Sequence, residues 1–400
     1  MVDDISVLIC DDSALMRNLI GRIVDETEGM KVVARAENGL DLIEKLKTVQ
    51  PDVILLDIQM PQMDGLGFLR HKKEAKIDIP VIILSSVATE GAAITMQCLD
   101  LGASDFITKP GGTSVSLKIG DVTKEIIEYI ASYGGSYATK KGKSVREAEF
   151  FSHQIKLKQA ERFVIQKKGE ESAKSAEISH AEAISMPFFN QIAKKKEPVV
   201  IVPEKECGKV QVIALGISTG GPNALRELFK NIDPNVKQPI LVVQHMPAGF
   251  TKEFAASLNN LCPLTVTEAR DGEPLMPGHV YIAPGNYHIY VEHRPLGNLV
   301  RLSQEPQRNG HRPSADVLFE SVAKIYQNNA LGIIMTGMGR DGAAGLAEMR
   351  KKGAWTLGQD QASSIVYGMP KVAFELGGVQ KQVPLSQMAG ELSKIAIENQ

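Results

Sequence analysis

Ser218 lies in a short glycine-rich stretch between an apolar run and a helical pattern. The stretch reads GISTGGP over residues 216–222; it follows apolar residues 210–215 and precedes a helical pattern at 225–229. Glycines allow a tight turn, and proline suits the first turn of a helix. The Gly-x-Ser-x-Gly spacing is that of a nucleophile elbow. Two interpretations follow: a nucleophilic serine, or a strand-to-helix turn that binds phosphate or simply packs tightly.

A serine nucleophile needs a base, and His245 is the best placed of the eight histidines. It ends the buried-looking strand PILVVQH and begins a loop. The carboxyl ends of strands in an open α/β sheet form the crevice where ligands bind, and Ser218 and His245 would both lie there. His311, which opens the run HRPSADVLF, is the rival base.

A histidine base needs a third group that fixes its tautomer and stabilises the imidazolium. The candidates are Asp271, Asp316, Asp341 and Asp360. Only Asp341 lies on a glycine-rich loop, TGMGRDGAAG, after an apolar strand, although an aspartate before a glycine is also common in plain turns. We therefore predict a triad of Ser218, His245 and Asp341. Backbone N–H groups near Met338 or beside Ser218 would form the oxyanion hole.

A second set of polar residues follows successive apolar runs in the first third of the chain. These residues are Asp11, Asp12, Asp57, Ser85 and Lys109. Three converging carboxylates repel one another unless a cation lies among them, and oxygen ligands suit Mg²⁺. A nearby lysine can hold a phosphoryl group, which an aspartate can accept as an acyl phosphate. The alternative for each single aspartate is a helix cap or a surface residue.

The alternation of apolar runs and helical patterns predicts two α/β units. In residues 1–132 the predicted strands are 6–10, 31–35, 53–56, 81–85 and 105–108, which indicates a parallel sheet covered on both faces. The alternation returns in residues 208–400, with strands predicted at 210–215, 239–244, 279–283, 287–292, 299–303, 330–335 and 354–357. Residues 279–303 have period-two character, which predicts an antiparallel insert in a doubly wound, mostly parallel sheet.

Residues 133–207 lose this rhythm and are predicted to be a long linker. Phe150, Phe151, Ile155 and Phe163 are consistent with an irregular amphipathic helix over 145–166, and residues 186–189 form a short apolar patch. Such apolar islands either pack on an adjacent domain or dock a partner, and we expect packing.

Composition excludes several classes of function. The 400 residues carry a net charge of −2, with 43% hydrophobic and 23% charged residues, and there is no basic helix or helix-turn-helix pattern that would indicate nucleic-acid binding. The four cysteines are scattered without metal-binding spacing, which suits a reducing compartment. No signal-peptide layout or long apolar run is present. We expect a cytoplasmic protein that does not insert into a membrane.

The first third closely resembles a two-component response-regulator receiver domain. The resemblance is carried by Asp11-Asp12, Asp57, the MPQMDG run at 60–65, Ser85 and Thr108-Lys109-Pro110. It implies a flavodoxin-like sheet of order 2-1-3-4-5 with Asp57 as the phosphoacceptor. Asp11 or Asp12, Asp57 and the Gln59 carbonyl would hold Mg²⁺, Ser85 and Lys109 would sense the phosphoryl group, and Phe106 would be the switch aromatic.

The C-terminal half resembles the catalytic domain of chemotaxis protein-glutamate methylesterases. The matching runs are GISTGGP, QHMPAGFT, HRPSADVLF, TGMGRDGAAG and YGMP. The resemblance implies hydrolysis of glutamyl methyl esters on chemoreceptors, deamidation of receptor glutamines, no cofactor in the esterase site and a histidine kinase as phosphodonor. It places the catalytic roles on Ser218, His245 and Asp341, with Thr219 and Met338 beside them.

The same resemblance implies that the unphosphorylated receiver covers the esterase cleft. We expect a monomer. The linker is longer than that family's connector, which leaves room for a separate partner. Two other functions stay open from the residues alone: a response regulator whose second domain only binds a ligand or protein, and a general esterase or amidase with the same triad.

Overall fold

The computed structural model describes residues 2–85, 89–109, 119–147, 150–151, 154–155 and 199–400. The predicted residues Phe163 and 186–189 lie outside these ranges. Across the described part of the chain, no helix combines the length and the apolar character needed to cross a membrane.

The first domain is a five-stranded parallel sheet in the predicted order β2-β1-β3-β4-β5. Every residue of β3 and β4 is buried, because helices cover both faces of the sheet. The strands are β1 Ile5–Cys10, β2 Met30–Ala36, β3 Val53–Asp57, β4 Val81–Ser85 and β5 Asp105–Thr108. The helices are α1 Ala14–Asp25, α2 Gly39–Leu46, α3 Gly65–Glu74, α4 Thr89–Asp100 and α5 Ile119–Tyr129.

The helical chain continues beyond α5 as a π-helix, Ile130–Gly134, and as α6, Gly135–Lys140. It therefore passes residue 132, where the sequence places the end of the domain. Phe151 and Ile155 are buried in the core of the same domain, as the packing interpretation of the linker expects. The limits 1–132, 133–207 and 208–400 stay a prediction.

The second domain is built on a seven-stranded sheet in which all neighbouring strands are parallel. Its order is β14-β13-β12-β6-β7-β9-β8. The strands are β6 Val212–Ile217, β7 Ile240–Gln244, β8 Thr265–Glu268, β9 His279–Ile282, β12 Ala330–Ile334, β13 Trp355–Gln359 and β14 Lys381–Val383. The helices are α7 Gly221–Lys230, α8 Phe250–Asn259, α9 Ala315–Tyr326, α10 Ala343–Lys352, α11 Met369–Glu375 and α12 Leu385–Glu398.

The antiparallel insert is smaller than predicted. Only β10, His288–Arg294, and β11, Gly297–Ser303, pair antiparallel, whereas β9 joins the main sheet parallel to β7 and β8. The period-two pattern did not distinguish these cases. Three of the four residues of β9 are buried, as expected of a strand inside a covered parallel sheet.

Candidate active site and receiver pocket

Ser218 directly follows β6, the central strand of the second sheet, and begins the turn into α7. Gly220 caps that helix with φ 82°, a left-handed conformation that glycine adopts without strain. Gly337 from a neighbouring loop packs so closely that a Cβ there would lie 2.8 Å from the Ser218 Cβ. The turn therefore holds the serine against the loop that follows β12.

The sheet order brings His245 and Asp341 to this turn. His245 follows β7 and Asp341 lies in the loop after β12, and these strands flank β6 on its two sides. His245 Nδ1 lies 3.0 Å from Ser218 Oγ, and its Nε2 lies 2.9 Å from Asp341 Oδ2. The Gln244 amide donates to the carbonyls of Ser218 and His245 at 3.2 and 3.0 Å, which ties the two loops together.

The Asp341 carboxylate is buried and hydrogen-bonded on both oxygens. Besides His245, it accepts from Asn309 Nδ2 at 2.9 Å, Ser314 Oγ at 2.5 Å and the Ala315 N–H at 2.6 Å. Burial raises its pKa, but hydrogen bonds from His245, Ser314 and Asn309 outweigh that effect and hold the pKa well below the usual range. Asp341 is therefore an anion that can orient a histidine and stabilise its protonated form.

His311, the rival base, does not bond to the serine. Its ring lies flat against the His245 ring, with centroids 3.8 Å apart and an interplanar angle of 12°. Burial, together with the positive charges that His245 and Lys124 can carry, lowers the pKa of His311 to about 3. Of the other acids considered, Asp316 accepts from the Gly345 N–H, Asp271 binds Arg301, and Asp360 binds Ser363.

The backbone donors of the nucleophile turn are mostly committed. The Ser218 N–H donates to Thr336 O, the Gly220 N–H to Asp105, and the Gly221 N–H to Ser218 O. Among the described residues, the Thr219 N–H has no partner, and Gly337 of the Met338 loop donates to Val366 O. Thr219 N–H is thus the donor in this turn that remains available to an oxyanion.

The receiver pocket brings together the other predicted set. Asp11, Asp12 and Asp57 each place a carboxylate oxygen within 4.8 Å of the others. Lys109 Nζ lies 2.9 Å from Asp11 Oδ2 and 2.8 Å from Asp57 Oδ1. A cavity of 230 Å³ lies there, lined by Asp12, Asp57, Ile58, Gln59, Leu84, Gly91, Ile94 and Lys109. All-oxygen donors beside an open cavity fit a hard divalent cation.

The charges in this pocket are only partly balanced. Burial raises the pKa of Asp57, the Lys109 ammonium lowers it, and Asp11 raises it again, so the pKa is raised overall. Burial lowers the pKa of Lys109, but Asp11 and Asp57 outweigh this and raise it. The buried Ser85 hydroxyl lies 2.7 Å from Thr95 Oγ1 in α4.

The receiver contacts the nucleophile turn through a residue that the sequence did not single out. Buried Asp105, at the start of β5, accepts from the Gly220 N–H at 3.0 Å and from the Tyr133 hydroxyl at 2.8 Å. Asn223 Nδ2 donates to the Ala103 and Ser104 carbonyls at 3.1 and 2.9 Å. Burial raises the pKa of Asp105 to about 6, although the hydrogen bonds that its carboxylate accepts from Gly220, Tyr133 and the Phe106 N–H oppose this rise.

Phe106 also lies at this contact. Its ring stacks on Phe250, the first residue of α8, with centroids 4.8 Å apart and an interplanar angle of 19°. Arg226 of α7 pairs with Asp100 of α4 close by. The receiver thus touches both the turn that carries Ser218 and the helix that follows the His245 loop.

Two family models match this chain. The model described as CheB methylesterase matches residues 213–392, and that of the response regulator receiver domain matches residues 7–118. A Treponema denticola protein named protein-glutamate methylesterase/protein-glutamine glutaminase is 48% identical over 398 residues, covering 99% of this chain and 100% of the relative. A Paraburkholderia xenovorans protein of the same name is 40% identical over 385 residues, covering 96% of this chain and 94% of its own.

Solved structures resemble each half. The Thermotoga maritima CheB methylesterase catalytic domain is 37% identical, covers 47% of this chain and 98% of its own, and gives a TM-score of 0.45. The response regulator domain of Thermotoga maritima CheB is 44% identical, covers 33% and 97%, and gives a TM-score of 0.30. On the full-length identity to its relatives, this chain belongs to the protein-glutamate methylesterase/protein-glutamine glutaminase family, with a response regulator receiver domain ahead of a CheB methylesterase domain.

Proposed function

We propose that this chain hydrolyses glutamyl methyl esters of chemoreceptors, releasing methanol, and that Ser218 is the nucleophile. It also deamidates receptor glutamines by the same acyl transfer. The observation that carries the proposal is the continuous hydrogen-bonded chain from Ser218 Oγ through the His245 ring to Asp341. His245 uses Nδ1 toward the serine and Nε2 toward the aspartate, so the two ring nitrogens exchange the tasks that they have in chymotrypsin, and the chemistry is the same.

The reaction follows from these positions. Ser218 Oγ attacks the ester carbonyl carbon while its proton moves to His245 Nδ1, and Asp341 stabilises the imidazolium. The Thr219 N–H stabilises the oxyanion, with the Met338 loop beside it. The C–O bond to the methoxy group breaks as His245 returns the proton, so methanol leaves. Water, deprotonated by His245, then attacks the acyl-enzyme and releases the glutamate carboxylate and Ser218.

The receiver controls this site through Asp57. Asp11, Asp12, Asp57 and the Gln59 carbonyl would hold Mg²⁺, whose charge would offset that of the phosphoryl group on Asp57. Ser85 and Lys109 would contact that group, and a chemotaxis histidine kinase would donate it. Because the receiver contacts the Ser218 turn through Asp105 and α8 through Phe106, a small shift in this packing changes access to the triad. A coupling of about 1–3 kcal/mol changes activity by about 5- to 150-fold. We place this activity in a cytoplasmic monomer.

Methanol release from methylated receptor membranes tests the proposal. We expect Ser218→Ala to lower the rate by about 10⁴-fold or more, because the nucleophile is lost. Ser386→Ala, an exposed serine at the start of α12, is the matched control and should keep the wild-type rate. Undiminished methanol release by Ser218→Ala would exclude the serine mechanism. Equal turnover of small esters and receptor would instead indicate a general esterase.

A further inference from the structure

The ring of His245 is constrained along its edge by two hydrogen bonds. Nδ1 meets Ser218 and Nε2 meets Asp341, so these bonds fix two points on the ring edge. A planar ring held at two points can still tilt about the line that joins them. The parallel His311 ring, 3.8 Å away, covers one face and restricts that tilt.

His311 is itself held by a tight turn. Arg308 and His311 exchange both backbone hydrogen bonds, at 3.0 and 2.9 Å. The two residues between them, Asn309 and Gly310, have φ values of 54° and 81°, as expected of a type I′ turn. Arg308 also forms an ion pair with Glu320 of α9 at 2.6 Å. The turn therefore fixes the backbone from which the His311 side chain projects.

The same turn also orients Asp341. Asn309 Nδ2 donates to Asp341 Oδ1 at 2.9 Å and to Asp316 Oδ2 at 2.7 Å. Ser314, just beyond His311, donates to the same Asp341 oxygen. One short segment thus contacts both the base and the acid that orients it, and a displacement of the segment would misalign both.

The charge state of His311 suits stacking and not proton transfer. Its lowered pKa, about 3, keeps the ring neutral at the pH where a histidine base works. A neutral aromatic face is compatible with the imidazolium that forms on His245, whereas a second cation would oppose it. Among the described residues, neither ring nitrogen of His311 is hydrogen-bonded to Ser218, whose hydroxyl bonds to His245 Nδ1 instead.

We propose that His311 is a positioning residue that holds the ring plane of His245 for proton transfer from Ser218. The inference rests on the proposed triad. This role requires an aromatic face at position 311, but it does not require a ring nitrogen there. The residue acts through His245, and its loss should reduce the chemical step and leave receptor binding in place.

Three variants of the full-length, phosphorylated protein test this role. His311→Phe keeps a flat ring and removes both nitrogens, His311→Gln keeps a polar side chain without a ring, and His311→Ala removes both features. We expect His311→Gln and His311→Ala to lower kcat for methanol release by about 10- to 100-fold with KM within about twofold, since misalignment at a reacting group has effects of this size. His311→Phe should stay within about threefold of wild type.

Two further readouts separate positioning from a general structural role. The rate at which a fluorophosphonate reagent labels Ser218 should fall in His311→Gln and His311→Ala in parallel with kcat. Both variants should still be folded at the assay temperature, as their melting temperatures will show. The pH profile of kcat/KM for His311→Phe should match wild type, because residue 311 contributes no titrating proton.

Two results would overturn the inference. One is a His311→Phe variant, folded with the wild-type melting temperature, that is as weak as His311→Gln. That outcome would show that an imidazole nitrogen is required. The other is wild-type kcat in His311→Gln. If His311→Ala does not fold, the comparison of Phe with Gln still decides. Failure of the triad itself appears separately, as methanol release by Ser218→Ala.

Discussion

The esterase site and the receiver pocket both lie at one edge of a parallel sheet, but they shift the pKa of their central carboxylate in opposite directions. Both pockets lie at the carboxyl ends of parallel strands. In the esterase site, hydrogen bonds outweigh burial and the pKa of Asp341 is lowered. In the receiver pocket, burial and the neighbouring Asp11 outweigh Lys109 and the pKa of Asp57 is raised.

The difference lies in the donors around each carboxylate. Asp341 accepts from the His245 ring, two side chains and a backbone N–H, and these hydrogen bonds stabilise its negative charge. Asp57 accepts from its neighbour Ile58 N–H and contacts Lys109, while two further carboxylates lie close by. The first arrangement is stable as a fixed anion. The second would gain stability from an added cation, which is the property expected of a pocket whose charge changes.

The largest effect should come from breaking the fixed anion. Asp341→Asn keeps the shape of the side chain but removes the charge that stabilises the His245 imidazolium, and we expect a fall in kcat of about 10⁴-fold. Asp360→Asn is the matched control, because Asp360 follows the adjacent strand β13 but binds Ser363 instead. Its rate should stay within a few-fold of wild type. Equal losses in the two variants would contradict the special role of Asp341.

A smaller effect, on stability, should come from replacing Asp105, the receiver carboxylate that accepts from the Gly220 N–H of the esterase domain. Its pKa rises from 3.8 to about 6 because burial disfavours the anion by more than the hydrogen bonds from Gly220, Tyr133 and Phe106 favour it. Below about pH 4 Asp105 is neutral whether or not it is buried, and above pH 6 it is ionised in both states with the full burial penalty present. Wild-type stability relative to Asp105→Asn should therefore decline between pH 4 and pH 6, by about 1–3 kcal/mol.

Melting temperatures of both proteins from pH 4 to pH 8 measure this change. The asparagine variant can still accept the Gly220 hydrogen bond and has no proton to lose. The nearby Glu125, whose pKa burial and Asp105 raise to about 8, along with Glu128, Tyr129 and Tyr133, is present in both proteins. Asp105→Asn also changes the pKa of Glu125, but folded Glu125 stays mostly protonated between pH 4 and pH 6, so the difference between the two proteins in that window reports Asp105. Parallel melting profiles would contradict a buried, titrating Asp105 at the contact.

The sequence was sufficient to predict the site residues that lie at the ends of strands. Ser218, His245 and Asp341 were predicted to converge because each follows an apolar run, and the sheet order does bring these three adjacent strand ends together. The strands β8 and β14 were not predicted. The four residues of β8 have mixed polarity and β14 has only three residues at the edge of the sheet, so neither gives a clear hydrophobic pattern.

The residues that support the site were harder to predict. Asn309, His311 and Ser314 come from a turn that is ordered by its contacts with Asp341 and His245, and no periodicity marks such a segment. The contact of Asp105 with Gly220 depends on how two domains pack, and the sequence of either domain alone does not contain it. The run HRPSADVLF did mark the region, but from the sequence His311 was considered only as a rival base and Asp316 only as a candidate for the orienting acid.

The most direct test of the account is the labelling of Ser218 by a fluorophosphonate reagent with and without a small phosphodonor. It reports both the activated serine and its exposure. We predict that Ser218 is the labelled residue, that the phosphodonor raises the labelling rate of the wild-type protein about 5- to 150-fold, and that Asp57→Asn shows no rise. Labelling at another residue, or a rate that the phosphodonor raises equally in both proteins, would contradict the account.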